Sequence, residues 1–545
     1  MDLGELIAGL GIRPVGGAPG VELSARAERV RVCDLTEDSR TVVPGSLFIA
    51  RSGLKADGKA YIDQALAAGA VAILSDSDEG ALGGLPVPLL YAADPFLASA
   101  RLAERFYGHP SRQLKLAMVT GTNGKTTIGT LIWQMLNAAR ARCGLVGTVC
   151  IDDGTEVAPA TMTTPPSIEV SRTLQRMVES GCVAAAFEAS SHALDQKRLD
   201  ALSIGVGVFT NLTGDHLDYH KTMDRYAAAK ARLFQLVDAG GRAIVNMDDP
   251  WSERIAGASR APLWRCTALG ARGADCAVEM SGVTIRGMEL ALRGPWGRVE
   301  GKVPMVGGFN AMNVLQAMAA AHAMGVSREG LERALPRLAP PAGRLERLDD
   351  ERAGVQVFVD YAHSDDSLRS TLSAVAPLVH GRGPGKKPGR LWVVFGCGGD
   401  KDRTKRPRMG LAAAQWADVV VVTSDNPRTE RPGDIIDEIL AGVPADLREK
   451  VMVQADRGRA IRHAVENASV GDVVVIAGKG HETEQILPDA SGGTIRVHFD
   501  DREVARDALE ARARPAGART RSKGARPVPA AAAPPARWGR GAARG

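Results

Sequence analysis

One segment constrains this chain more than any other. The apolar run Leu114–Thr120 leads into Gly121-Thr122-Asn123-Gly124-Lys125-Thr126-Thr127, and an unbroken helical pattern follows through Arg140. Strand, glycine turn and helix in that order predict a βα unit, the building block of a largely parallel sheet. The turn is two residues shorter than G-x-x-x-x-G-K-[ST], because position 119 is Val. Its chemistry survives the shortening. Glycines let backbone N–H groups face phosphate oxygens at a helix N-terminus, Lys125 reaches the terminal phosphates, and the Thr126 hydroxyl can ligate Mg²⁺. Nucleotide binding is therefore expected here.

The same alternation recurs on both sides of this unit. Apolar runs at Val183–Phe187, Ile204–Thr210 and Ala243–Val245 alternate with helical patterns, and Leu338–Gly343 (LAPPAG) interrupts them. Four later strands, in VQVFVDYAH, LWVVFGCGGD, ADVVVVTSDNP and GDVVVIAGKG, end in glycine or acid, as strand ends lining a ligand crevice do. The expectation is an α/β protein of three domains: an N-terminal α/β domain over 1–110, a central mostly parallel-sheet domain over 111–340 and a Rossmann-like C-terminal domain over 341–511. A chain of 545 residues, 45% hydrophobic and 24% charged, is long enough and apolar enough for several cores.

Residues 512–545 are rich in Ala, Pro, Gly and Arg and are expected to be a disordered tail. Nine Arg or Lys lie beyond residue 510 with no acid, leaving 59 basic and 63 acidic residues, a balance of −4, in 1–510. A mildly acidic body argues against an obligatory nucleic-acid partner. Seven cysteines scattered without a C-x-x-C pair read as reduced thiols of a cytoplasmic protein without structural zinc. The opening MDLGELIAGLGIRP lacks a basic n-region, and no run reaches about 18 apolar residues, so neither export nor a membrane span is expected.

Glu188 follows the strand run ending in Phe187, and Asp215 and His216 follow the next, which brings all three to the edge carrying the glycine turn. Thr126, Glu188 and phosphate oxygens suffice for one Mg²⁺, and His216 could serve a second. Lys230, in DRYAAAKARLF, reads by itself as a surface lysine.

Taken together, GTNGKTT, TTP at 163–165, EASSHALDQKR at 188–198, TNLTGDHLDYH at 210–220, YAAAKARLF at 226–234, GFNAMN at 308–313, GR at 343–344, DYAH at 360–363, CGGDKD at 397–402, DNPR at 425–428 and GKGHE at 478–482 resemble the Mur ligases. The likeness runs in order over about residues 22–505. It implies ATP-dependent amide formation in peptidoglycan precursor synthesis: the γ-carboxylate of D-glutamate in a UDP-N-acetylmuramoyl dipeptide is phosphorylated and then attacked by an amine of meso-diaminopimelate. The catalytic set it implies is Lys125, Glu188, His216 and Lys230, the last carbamylated into an anionic ligand for the second Mg²⁺. For ATP it implicates Gly121–Thr127, Asn313, Arg344, Asp360, Tyr361 and His363. For the UDP-sugar peptide it implicates Ser39, Thr163, Thr164, Ser190, Gln196 and Arg198. For diaminopimelate it implicates Asp425, Asn426, Pro427, Arg428, Gly478 and Glu482, with Arg428 pairing the distal carboxylate, and Lys401 standing where the family usually has arginine. A monomer acting on small molecules is the expected form.

Two further departures are Asp365 where proline is common and Leu54-Lys55-Ala56 on the uridine side. Readings left open are a lysine-adding or other Mur ligase, a folylpolyglutamate synthase-like amide ligase, and a nucleic-acid-binding scaffold using the tail.

Overall fold

The computed structural model describes residues 1–15, 30–53, 57–77, 84–348, 350–381 and 388–514. Three sheets follow one another along the chain. The first has the spatial order Arg13–Val15, Leu89–Tyr91, Ala72–Ser75, Ser46–Ala50, Asp34–Thr36, parallel except for its first strand.

The central sheet has at its middle Leu263–Thr267, Val237–Asn246, Ile204–Phe209, Lys115–Thr120, Ala184–Glu188 and Cys143–Val146, all parallel. Cys276–Thr284 joins Leu263–Thr267 in parallel, and antiparallel strands extend the sheet beyond it and beyond Cys143–Val146. The third sheet runs Glu346–Leu348, Gln356–Asp360, Val473–Ala477, Leu391–Phe395, Val419–Val422, Val451–Val453, parallel beyond its first pair.

Alternation of side chains builds the cores. In Lys115–Thr120, Ala117 and Val119 enter one apolar cluster while Leu116 and Met118 enter the cluster on the opposite face. The helices Lys125–Ala138 and Gly308–Ala323 cover the first face. The second of these is buried almost all round from Asn310 to Ala321, as its unbroken apolar run requires. Helix Met223–Leu236 covers the other face through Tyr226, Leu233 and Phe234. In the third sheet, Leu391, Val393 and Phe395 face one cluster, and Trp392 and Val394 the other.

The last helix, Asp501–Ala513, corrects one expectation: Arg512 belongs to it, donating to the carbonyls of Ala353 at 2.7 Å and Val465 at 3.1 Å. The rest of the expected tail from 515, and Leu54–Ala56, lie outside the described residues. No helix among the described residues is long and apolar enough to cross a membrane. Strands ending at Thr120, Glu188 and Phe209 are adjacent and parallel, so their C-terminal ends meet at one edge.

Candidate active site

At that edge the chain turns from Thr120 into helix Lys125–Ala138. Gly124 caps the helix at φ +88°, a conformation that favours glycine, and a Cβ there would come 2.7 Å from Asn313 Oδ1, which would have to move. Asn211 staples the turn to the neighbouring strand end: its carbonyl accepts from Thr122 N at 2.8 Å and its Oδ1 from Asn123 N at 2.9 Å. Lys125 folds over the loop, donating to the carbonyls of Gly121 (3.0 Å) and Thr122 (2.8 Å). Burial holds its ammonium below the usual lysine range, against the opposing pull of Glu188 and Asp215. Thr127 is buried behind it.

Glu188, 1% exposed, is the hub. Its Oε2 accepts from the hydroxyls of Thr126 and Thr148, each at 2.9 Å, and its Oε1 from Thr148 N at 2.6 Å. Lys230 is not a surface lysine. It is 1% exposed, lies 4.3 Å over the Tyr226 ring and donates to the Gly121 carbonyl at 2.7 Å. Burial drives its pKa well below the usual range, and Lys125 pushes the same way. Asp215 and His216 stand together, Oδ2 to Nε2 3.4 Å, with His216 at φ +53°. Although 46% of the His216 side chain is accessible, the enclosing cleft depresses its pKa, and Lys125 and Lys230 add to the effect. Among the described residues, no three His, Cys, Asp or Glu side chains gather to hold a metal. The donors that do meet are a hydroxyl and a carboxylate, an oxygen set that suits a hydrated Mg²⁺ rather than a transition metal.

The C-terminal sheet supplies the facing wall. The Arg344 guanidinium lies 4.4 Å over the Tyr361 ring and donates to the Thr126 hydroxyl at 3.3 Å, joining the two sheets across the cleft. Asp360 spends both oxygens internally, on Leu345 N, Ala362 N and the Thr371 hydroxyl, and burial raises its pKa. It therefore holds the turn that presents Arg344 and Tyr361. His363 completes this wall, bonded through Nδ1 to the Tyr361 carbonyl at 2.9 Å. A cavity of about 210 Å³ runs from Lys125 and Glu188 to Arg344 and His363. It adjoins one of about 590 Å³ lined by Asn313, Phe309, Leu269, Met280 and Tyr361.

Around Glu188 the residues expected to meet a sugar peptide are brought together. Thr163 contacts Thr148 (Oγ1 to Oγ1 3.1 Å), and Thr164 donates to the Glu188 carbonyl at 2.6 Å and accepts from Ser190 N at 3.0 Å. Arg198 donates to the Thr164 carbonyl at 2.6 Å and to Gln196 Oε1 at 2.8 Å. Ser39, on the first sheet's side, is buried and donates to Gln64 Oε1 at 2.9 Å.

A second constellation forms at the C-terminal ends of Val419–Val422 and Val473–Ala477. Arg428, at φ +54°, commits Nη1 to the Gly399 carbonyl (2.7 Å), while its Nε and Nη2 have no partner among the described residues. Gly478 is at φ +117°, and a Cβ there would sit 2.6 Å from Asp425 Oδ2. Asn426 Nδ2 donates to Glu482 Oε2 at 2.8 Å. Pro427 follows in the same turn, and Lys401 is exposed.

Three family descriptions match in chain order: Mur ligase family, catalytic domain over 34–94, Mur ligase middle domain over 119–321, and Mur ligase, glutamate ligase domain over 343–480. The chain belongs to the Mur ligase family. A relative from Gloeobacter violaceus, named UDP-N-acetylmuramoyl-L-alanyl-D-glutamate–2,6-diaminopimelate ligase, is 45% identical over 484 residues, 89% of this chain and 95% of the relative. One of the same name from Geobacillus kaustophilus is 42% identical over 487 residues, 88% and 95% of the two chains. A solved structure of an enzyme of that name superposes with a TM-score of 0.66 at 31% identity, covering 94% of this chain and all of that one.

Sequence reasoning about this Mur ligase missed three features. Thr148 holds Glu188 with two bonds, and its signal was only a hydroxyl two residues past the strand Cys143–Val146. Leu269, Met280 and Phe309 are exposed apolar side chains, 83%, 44% and 41% accessible, that line the larger cavity. Lys479, inside the GKGHE motif, is fully buried.

Proposed function

We propose that this Mur ligase adds meso-diaminopimelate to the D-glutamate γ-carboxylate of UDP-N-acetylmuramoyl-L-alanyl-D-glutamate at the expense of ATP. The observation that carries the reading is the meeting of Thr126, Glu188 and Arg344 in one cleft, with a phosphate-type loop on one wall and a second sheet on the other. The family assignment and the 42–45% identity of the named relatives support it.

The triphosphate lies along Gly121–Thr127, its base against Leu269, Met280, Phe309 and Asn313, with Arg344, Tyr361 and His363 over it. Thr126 and Glu188 would hold Mg²⁺, with His216 and a carbamylated Lys230 beside a second ion; when bound, Mg²⁺ neutralises phosphate charge. Lys125 orients the γ-phosphoryl group toward the D-glutamate carboxylate. The carboxylate oxygen bonds to phosphorus as the bond to ADP breaks. The amine nitrogen then forms the amide, loses a proton, and phosphate leaves with its oxygen. Carbamylation needs a neutral amine, and burial shifts the Lys230 pKa downward, in the direction that favours one. Ser39, Thr163, Ser190 and Arg198 receive the UDP-sugar peptide, and Arg428 takes the distal carboxylate through its uncommitted Nε and Nη2. One chain carries every group used, so a cytoplasmic monomer suffices.

The test supplies purified protein with the UDP-linked dipeptide, ATP and meso-diaminopimelate. ADP release together with a lengthened peptide is expected. Neither product, or ADP release independent of the dipeptide, overturns the reading.

A further inference from the structure

Lys479 has no accessible surface. A buried ammonium is costly unless its donors are met, and all three are: Asn426 Oδ1 at 3.1 Å, Glu482 Oε2 at 3.1 Å and the Glu484 carbonyl at 2.6 Å. The consequences pass through Asn426. Its Oδ1 accepts from Lys479 Nζ and from Ile486 N (3.0 Å), which leaves Nδ2 to donate to Glu482 Oε2 at 2.8 Å. Two donors therefore hold the same oxygen of Glu482. The other, Oε1, has no partner among the described residues, and 34% of the side chain remains accessible. Glu482 is thus an oriented carboxylate with one oxygen tied and one open.

We infer that Lys479 is a positioning residue for amino-acid selection: it locks the amide of Asn426 and one oxygen of Glu482, so that the remaining oxygen receives the distal ammonium of the diamino acid in one geometry. This rests on the reading of Asn426, Arg428 and Glu482 as the diaminopimelate site. Without Lys479, Asn426 Oδ1 keeps only Ile486 N and Glu482 Oε2 keeps only Asn426 Nδ2, so each loses one of its two fixed contacts and the carboxylate gains rotational freedom. An acceptor so loosened discriminates less between the two configurations of the distal carbon, because swapping ammonium and carboxylate there moves the cation by only a few ångströms.

The experiment is steady-state kinetics of Lys479→Met with meso- and LL-diaminopimelate. The expected result is a KM for meso-diaminopimelate raised at least tenfold, kcat at saturation within about threefold, KM values for ATP and the UDP-linked dipeptide unchanged, and the meso/LL ratio of kcat/KM reduced at least tenfold. Thermal melts monitor folding. Should the Met variant not fold, the same ratio is read on Lys479→Gln, which retains donors without charge, and the same direction is expected. An unchanged meso/LL ratio in a folded variant, or a loss confined to kcat, overturns the inference. The wild-type enzyme run in parallel separates the two ideas: if it does not use meso-diaminopimelate at all, the proposed function fails, whereas a meso-specific wild type with an equally specific variant sinks only the role of Lys479.

Discussion

The Thr126 hydroxyl donates to Glu188 Oε2 at 2.9 Å, bringing the first turn of a helix to the end of a strand 62 residues later. Thr148 holds the same carboxylate through two more bonds, so its position is set before any nucleotide arrives. Glu188→Gln keeps the shape and removes the charge. Its kcat is expected to fall about 10²–10³-fold, the size of losing one preorganised electrostatic group, with the melting temperature little changed. Phosphate release at saturating substrates reads this, and a kcat within a fewfold of wild type contradicts the assigned role.

Lys230 carries a pH dependence with a definite sign. Its folded pKa lies below the unfolded value of 10.5, so between the two the unfolded chain binds the extra proton. Stability from this group therefore falls as pH drops and is recovered as pH rises. In CO₂-free buffer, Lys230→Met is expected to melt above wild type at pH 7, and the gap should narrow at pH 9; a gap that widens refutes the burial argument. Activity of Lys230→Ala is expected to be lost and partly restored by small carboxylates, as a carbamate role requires.

Arg428 leaves Nε and Nη2 uncommitted while Nη1 is tied to Gly399. Arg428→Met should lower kcat/KM for meso-diaminopimelate about 100-fold, in the range for a lost charged pair, while L-lysine, which lacks the distal carboxylate, changes little. Comparable losses for both amino acids would mean that Arg428 acts on something other than that carboxylate.

Gly478 sits at φ +117° with Asp425 Oδ2 in the space a methyl group would need. Gly478→Ala is expected to cost about 1–3 kcal/mol in urea unfolding, the usual range for a strained backbone position, and to raise the KM for the diamino acid by displacing Asp425. A variant with both quantities unchanged would show that the turn has room to relax.

Much of the fold was legible because it repeats short-range patterns. Leu116 to Val119 alternate between two cores, and the strand-turn-helix at Gly121–Thr127 announces its own geometry. Lys230 was legible in part: Tyr226, Lys230 and Phe234 share the i, i+4, i+8 stripe of their helix, all three buried, yet the residue type argued for solvent. The end of the last helix was misjudged because Arg512 looks like tail and is held by carbonyls of Ala353 and Val465, far away in sequence.

The order of motifs along the chain determined the family, the α/β architecture and the identity of most groups at the cleft, because each motif is local and carries its own backbone requirement. What only the tertiary structure decided is how those groups are spent. Asp360 is consumed by a turn, Thr148 and Lys479 act by holding other side chains, and Arg344 reaches Thr126 from another sheet. The Thr148–Glu188 and Arg344–Thr126 bonds span 40 and 218 residues and depend on where whole sheets pack, which no local spacing encodes.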